Sequence, residues 1–156
     1  MRAMMIDREL AAFIQEGLGI HIGTRNARLE PNGARALAVT VDEDGTHFTV
    51  FLAKVAAARV LPDLKSNGFA AVTVGRPIDE RACQLKGTFV SARAAKRDER
   101  EMLLTQFEGF RSQLQAIGIP RDGSSQWITW PAVAIRLKAT AIFNQTPGAE
   151  AGKQIA

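Results

Sequence analysis

The chain has 156 residues, 46% hydrophobic and 23% charged, with a net charge of +4 and one cysteine. That length and balance fit one globular domain with a core of its own and exclude a disordered chain. No apolar run reaches the roughly 18–20 residues of a membrane span, and the basic start MRAMMIDREL meets Asp7, Arg8 and Glu9 too soon for a secretory leader, so a cytoplasmic protein is expected.

Residues 7–16 read as a short helix, with Asp7 as its cap and Leu10, Phe13 and Ile14 at helical spacing. Leu18, Ile20 and Ile22 then alternate with Gly19, His21 and Gly23, the period of a strand. Pro31-Asn32-Gly33 reads as a turn. Residues 35–42 alternate again, Asp44-Gly45 marks a hairpin, and residues 46–52 form the returning strand. Residues 55–66 are rich in Ala and Leu and predict a short helix with Pro62 near its start or at a kink. Strands follow at 69–75 and 82–93, with Gly87 marking a bulge or a close backbone approach. Residues 97–117 form the strongest helix, its apolar stripe running through Leu103, Phe107, Phe110, Leu114 and Ile117. A last strand spans about 132–143.

This order predicts an α+β fold that is mainly antiparallel β: a six-stranded split β-barrel with peripheral helices. One domain covers residues 1–148, and residues 149–156 form a flexible C-terminal tail.

Several chemistries lack their residues. His21 and His47 lie far apart in sequence, and with Cys83 they give no metal-ligand spacing, so no metal is expected. No hydrolase elbow, phosphate-binding loop or dinucleotide fingerprint is present. His21 reads as a packed or hydrogen-bonded strand residue, His47 as exposed, and Cys83 as a small buried side chain. The basic residues are scattered, and in 93–101 they mix with Asp98, Glu99 and Glu101, a solvated face rather than a nucleic-acid stripe. A catalytic residue cannot be named from the sequence. A chain without an acid, base or nucleophile set commonly takes its chemistry from an organic cofactor.

An ordered series of segments carries a resemblance. These are GIHIGTR (19–25), RALAVTVDEDGTHFTVFL (35–52), ARVLPDLKSNGFAAVTV (58–74), ERACQLKGTFV (80–90) and WPAVAIRLKATAIFNQTPG (130–148). The series resembles the pyridoxamine 5′-phosphate oxidase-like family of FMN-binding split barrels. The resemblance implies FMN held in a groove between the two subunits of a homodimer, and a flavin-dependent oxidoreductase acting on a small molecule. It also allows a non-catalytic flavin- or haem-binding protein on the same fold.

The cofactor residues implied by the resemblance are Arg35, Thr40, Val50, Phe51, Lys54, Arg59, Gln84 and Lys86. Arg35 and Arg59 would meet the phosphate, with Lys54 as a second basic candidate. Thr40 stands where the oxidases often carry Lys. Val50 and Phe51 would offer strand backbone to the ring, and Gln84 and Lys86 share one face of the long strand. Trp127 and Trp130 read either as core aromatics or as platforms for a flavin or a partner subunit. The tail GAEAGKQIA lacks the basic and aromatic residues with which the oxidases proper hold a vitamin B6 phosphate, so that activity is not implied.

Overall fold

A computed structural model describes residues 5–156. The basic start at residues 1–4 lies outside them. Three helices, α1 (Arg8–Ile14), α2 (Lys54–Asn67) and α3 (Arg100–Ala116), surround seven strands: β1 (Gly19–Arg25), β2 (Pro31–Ala36), β3 (Ala38–Val41), β4 (His47–Ala53), β5 (Phe69–Gly75), β6 (Ala82–Ala94) and β7 (Ala132–Asn144). The strands form one antiparallel sheet in the order β2-β1-β5-β6-β7-β4-β3.

The seventh strand comes from a bend. Residues 31–41 run continuously, but β2 pairs with β1 while β3 pairs with β4. At the bend, the Leu37 N–H donates to the Phe51 carbonyl at 2.8 Å. One stretch of chain therefore serves both ends of the sheet and curls it into a barrel of six chain segments. This matches the predicted split barrel, with one strand counted twice.

Alternation along each strand fills the barrel. Ile20, Ile22, Phe48, Val50, Leu52, Val72, Leu85, Ile135 and Leu137 are buried in one cluster. A second cluster lies under α3, where Leu103 and Phe107 pack on Phe51, Ala53, Ala132 and Ala134. β4 is buried on both faces because it separates the two, which explains its nearly unbroken apolar run. The predicted bulge is at Gly87, where the β6–β7 register shifts. A Cβ there would stand 3.1 Å from the Lys138 carbonyl oxygen and 3.3 Å from the Leu137 side chain, so glycine lets the strands close.

Four expectations need correcting. Pro31-Asn32-Gly33 is not a turn but the start of β2. The turn precedes it, built on Asn26, whose side-chain oxygen accepts from the Arg28 and Glu30 N–H groups. Pro31 fits an edge strand, where its missing N–H leaves no ladder bond unmade. Pro62 lies inside α2 rather than near its start; it is solvent-exposed, so water can serve the carbonyl it frees. Residues 97–99 form a separate short turn before α3, and Ile117 is 49% exposed where the helix runs past the barrel.

Residues 149–156, expected to be a flexible tail, turn back along β7. The Ile155 N–H donates to Ile142 O at 2.8 Å, and the Asn144 N–H donates to Lys153 O at 2.9 Å.

The exposed edge of β3 is covered by side chains. The buried Gln106 amide accepts from the Val39 N–H at 3.0 Å and donates to the Val39 carbonyl at 2.8 Å. It acts as a substitute strand partner and ties α3 to the barrel. Phe107, beside it and 5% exposed, fills the space beneath the helix. Phe107→Ala is expected to cost about 3–5 kcal/mol in chemical denaturation, the range for emptying a buried aromatic site; a loss of a few tenths would place that helix face elsewhere.

Candidate functional site

β4 passes directly into α2 at Ala53, whose methyl side chain gives the helix no N-terminal cap. The Lys54 N–H donates to the Pro131 carbonyl at 2.9 Å, and the later N–H groups of the first turn, with the positive end of the helix dipole, have no competing side-chain acceptor. Beside that turn is a groove of about 490 Å³, lined by Ala34 and Arg35 from β2, by Val55, Ala56 and Arg59 from α2, and by Trp127 from the loop before β7. Its size falls in the usual range for small-molecule sites.

Arg35 is held by aromatic rings rather than by a carboxylate. Its guanidinium carbon is 4.4 Å from the centre of the Trp127 ring and 5.5 Å from that of Phe110. Partial burial lowers its pKa from the ordinary arginine value, and it stays cationic. Arg76, Arg93, Arg111 and Arg136 each pair with a carboxylate. Among the described residues none pairs with Arg35 or Arg59, and no carboxylate lines the groove. Two guanidinium groups and an uncapped helix N-terminus thus converge beside an apolar wall, an arrangement suited to a phosphate on an aromatic ligand.

A ladder of side chains places Trp127. Arg111 of α3 donates to the buried Ser124 hydroxyl at 2.7 Å and to the Arg121 carbonyl at 3.0 Å. Glu108 holds both Arg111 and Arg121. The loop is thereby fastened to α3, and Trp127 stacks on Phe110 at 6.1 Å.

Arg35 and Arg59 also line a second groove, of about 540 Å³, on the outer face of β1, β2 and β5. Arg35 stands opposite His21, His21 opposite Thr73, and Thr73 opposite Gln84. The Gln84 amide donates to the Thr73 hydroxyl at 3.1 Å. Burial, and secondarily the Arg35 charge, lower the His21 pKa from 6.5, so the imidazole is neutral at neutral pH. Lys86 lines a third groove further along the same face, with Arg25 and Phe69.

The eight residues singled out in the sequence therefore separate. Arg35, Arg59 and Gln84 come together around one groove, and Lys86 lies in the next. Lys54 is exposed at the start of α2 and lines none of these grooves. Val50 and Phe51 are core residues, 0% and 1% exposed, and their strand is paired on both sides, so neither side chain nor free backbone reaches a ligand. Thr40 faces α3, near Gln15 and Met102. Trp130 packs in the second core cluster. The signal for His21 was available: the alternation of GIHIGTR puts it opposite Ile20 and Ile22, which point into the barrel.

Cys83 is buried, and burial pushes its thiol up to about 11, which leaves no thiolate for catalysis. No metal-ligand spacing was legible in the chain, yet the β3–β4 hairpin brings ligand atoms of Asp42, Asp44 and His47 within 4.8 Å of one another. Each is already engaged: Asp42 accepts from Arg136, Asp44 accepts from the Thr46 backbone and hydroxyl, and His47 meets the same hydroxyl. Among the described residues, no helix is long and apolar enough to cross a membrane.

No protein-family model matches the sequence, and no curated protein matches it. Solved structures do. The chain is similar to HupZ of group A Streptococcus, at 18% identity and a TM-score of 0.56 over 95% of this chain and 100% of that one. It is similar to a putative pyridoxamine 5′-phosphate oxidase of Lactobacillus delbrueckii, at 11% identity and a TM-score of 0.56 over 92% and 97%. An FMN-binding protein of Syntrophomonas wolfei aligns at 14% identity and a TM-score of 0.50 over 88% and 87%. These likenesses show the fold, a split β-barrel. Within this split barrel the two arginines link the groove at α2 to the groove on the outer face.

The electrostatic link is measurable. Titration of His21 by NMR is expected to give a pKa below 6.5. Arg35→Gln removes the repelling charge and is expected to move that pKa upward; no movement would show that Arg35 does not face the imidazole.

Proposed function

We propose that this chain binds FMN in the groove between β2 and α2 and works as a flavin-dependent oxidoreductase on a small molecule. The observation that carries the reading is the pair of guanidinium groups, Arg35 and Arg59, unpaired among the described residues and set beside the uncapped first turn of α2. A phosphate dianion needs charge-assisted donors, and this corner supplies two arginine forks and oriented backbone N–H groups. Lys54, the first residue of the helix, adds positive charge at the same end. Trp127, Ala34, Val55 and Ala56 give the isoalloxazine ring an apolar and aromatic lining.

Bound there, the flavin supplies the electron transfer, which no residue around the groove can perform. The chain's own residues fix its phosphate, stack against its ring and exclude water from one face. Similarity in fold to an FMN-binding protein and to a putative oxidase of pyridoxamine 5′-phosphate supports this choice. The same reading includes a homodimer, in which the second copy covers the open side of the groove; light scattering then gives about twice the chain mass of 16.9 kDa.

Riboflavin carries the ring without the phosphate and separates the two contributions. Arg59→Ala is expected to weaken FMN binding about 10-fold or more, in line with about 1.5–3 kcal/mol for a charged hydrogen bond, and to leave riboflavin binding unchanged in a fluorescence titration. Equal losses for both flavins would contradict a phosphate role for Arg59.

A further inference from the structure

We propose that residues 152–156 are exchanged between two copies of this chain, each copy laying this segment along the β7 edge of the other at Ile142–Asn144. Neither the edge nor the segment lines a groove that holds Arg35, so the exchange is independent of flavin binding.

The need for a covering strand comes from unequal strand lengths. β4 follows β7 only as far as His47, opposite Lys138, and one further bond joins the Ala139 N–H to the Thr46 carbonyl at 2.8 Å. β7 continues to Asn144, paired with β6 on its other side. The backbone groups of Ile142 and Asn144 therefore point to a side that β4 does not reach. An edge of this kind, left open, recruits another strand.

Residues 152–156 cover it with backbone alone. The Ile142 N–H donates to the Ala156 carbonyl at 2.7 Å, and the Asn144 N–H to the Lys153 carbonyl at 2.9 Å. The Ile155 and Gly152 N–H groups donate back to the Ile142 and Asn144 carbonyls at 2.8 and 2.7 Å. Every residue from 147 to 156 is exposed, and Ile155 keeps 57% of its surface in solvent. No buried side chain ties the segment to its own chain. The same segment of a second copy makes the same bonds in the same register, so a two-fold exchange loses nothing at the edge.

The connector favours the exchange. The chain is fastened as far as Thr146: the Gln145 N–H donates to the Ala82 carbonyl at 2.9 Å, and the Ala82 N–H to the Thr146 hydroxyl at 3.0 Å. To return along β7 it reverses through residues 147–151, with Gly148 at φ 141° and Gly152 at φ 83°. Both angles are disfavoured for residues with a side chain. The exposed Glu150–Lys153 pair adds little to hold the turn. Extended, the five connector residues span up to about 17 Å. A short reversal of this kind is a hinge for strand exchange.

Phe143 and Gln154 face each other across the edge. They form a non-hydrogen-bonded antiparallel pair, the position where Cα atoms approach most closely and a disulfide fits. Phe143→Cys and Gln154→Cys are made in separate chains, each with Cys83→Ala, then mixed, incubated and oxidised. On a non-reducing gel the mixture is expected to give at least about 10-fold more covalent dimer, at twice the 16.9 kDa chain mass, than either variant alone. No excess over the single variants overturns the proposal.

Hydrogen exchange reads the same event without a cysteine. Gly148→Val strains the reversal and leaves the edge untouched, and its Ile142 and Asn144 amides are expected to stay protected at about 100 μM and to lose protection at about 1 μM. Protection lost at both concentrations shows a segment released rather than passed on, and protection kept at both shows one that stays on its own chain; either overturns the proposal. FMN affinity is expected to be unchanged in Gly148→Val. Exchange in a protein that binds no FMN supports this inference and refutes the flavin reading.

Discussion

The bend at Leu37 is the constraint on which the rest depends. Residues 31–36 complete the ladder of β1, and residues 38–41 complete that of β4. A single hydrogen bond, from the Leu37 N–H to the Phe51 carbonyl, marks the switch. The barrel closes only because the same run of chain serves both edges. Arg35 stands two residues before the bend. It therefore lies between the helix that leaves β4 and the outer face of β1, and both grooves share it. The Asn32 side chain donates to the Arg59 carbonyl, which ties the same run to α2 and keeps the second arginine beside the first.

The arginines show how the fold separates structural from available charge. Arg76 bridges Glu16 and Asp79, and its grip holds the Asp79 carboxyl at about 2. Arg93 holds Glu99, and Arg111 fastens the Trp127 loop. These ion pairs lie at the surface, partly exposed, and contribute little energy one by one, but they set loop positions. Arg35 has aromatic faces instead of an acid, which orient a guanidinium without neutralising it. Orientation without neutralisation is the property an anion site needs.

Much of this was legible in the sequence. Period-2 alternation located the strands, the Leu103–Phe107–Phe110 stripe located α3, and Gly87 marked the bulge. The Pro31 turn was misread because the turn is made by the Asn26 side chain, a local hydrogen-bonding effect stronger than the Pro-Asn-Gly composition. The pairing of Gln106 with Val39 joins residues 67 apart, and no local pattern announces it. Of the site, Arg35 and Arg59 were reached through the family resemblance. Val50 and Phe51 were misplaced because β4 is covered on both faces, which one strand's composition cannot distinguish from a strand facing a ligand. His21 was discounted as a packed residue, although its place opposite two barrel-facing isoleucines put it outside.

On the function proposed above, the two arginines and the α2 N-terminus hold a flavin phosphate. The most direct measurement is the flavin retained by the protein after incubation with excess FMN and gel filtration, quantified by absorbance after denaturation. About one FMN per chain is expected, with retention lost when Arg35 and Arg59 are both replaced by alanine. Wild-type protein that emerges colourless from saturating FMN, or a double variant that retains as much flavin as the wild type, would contradict it.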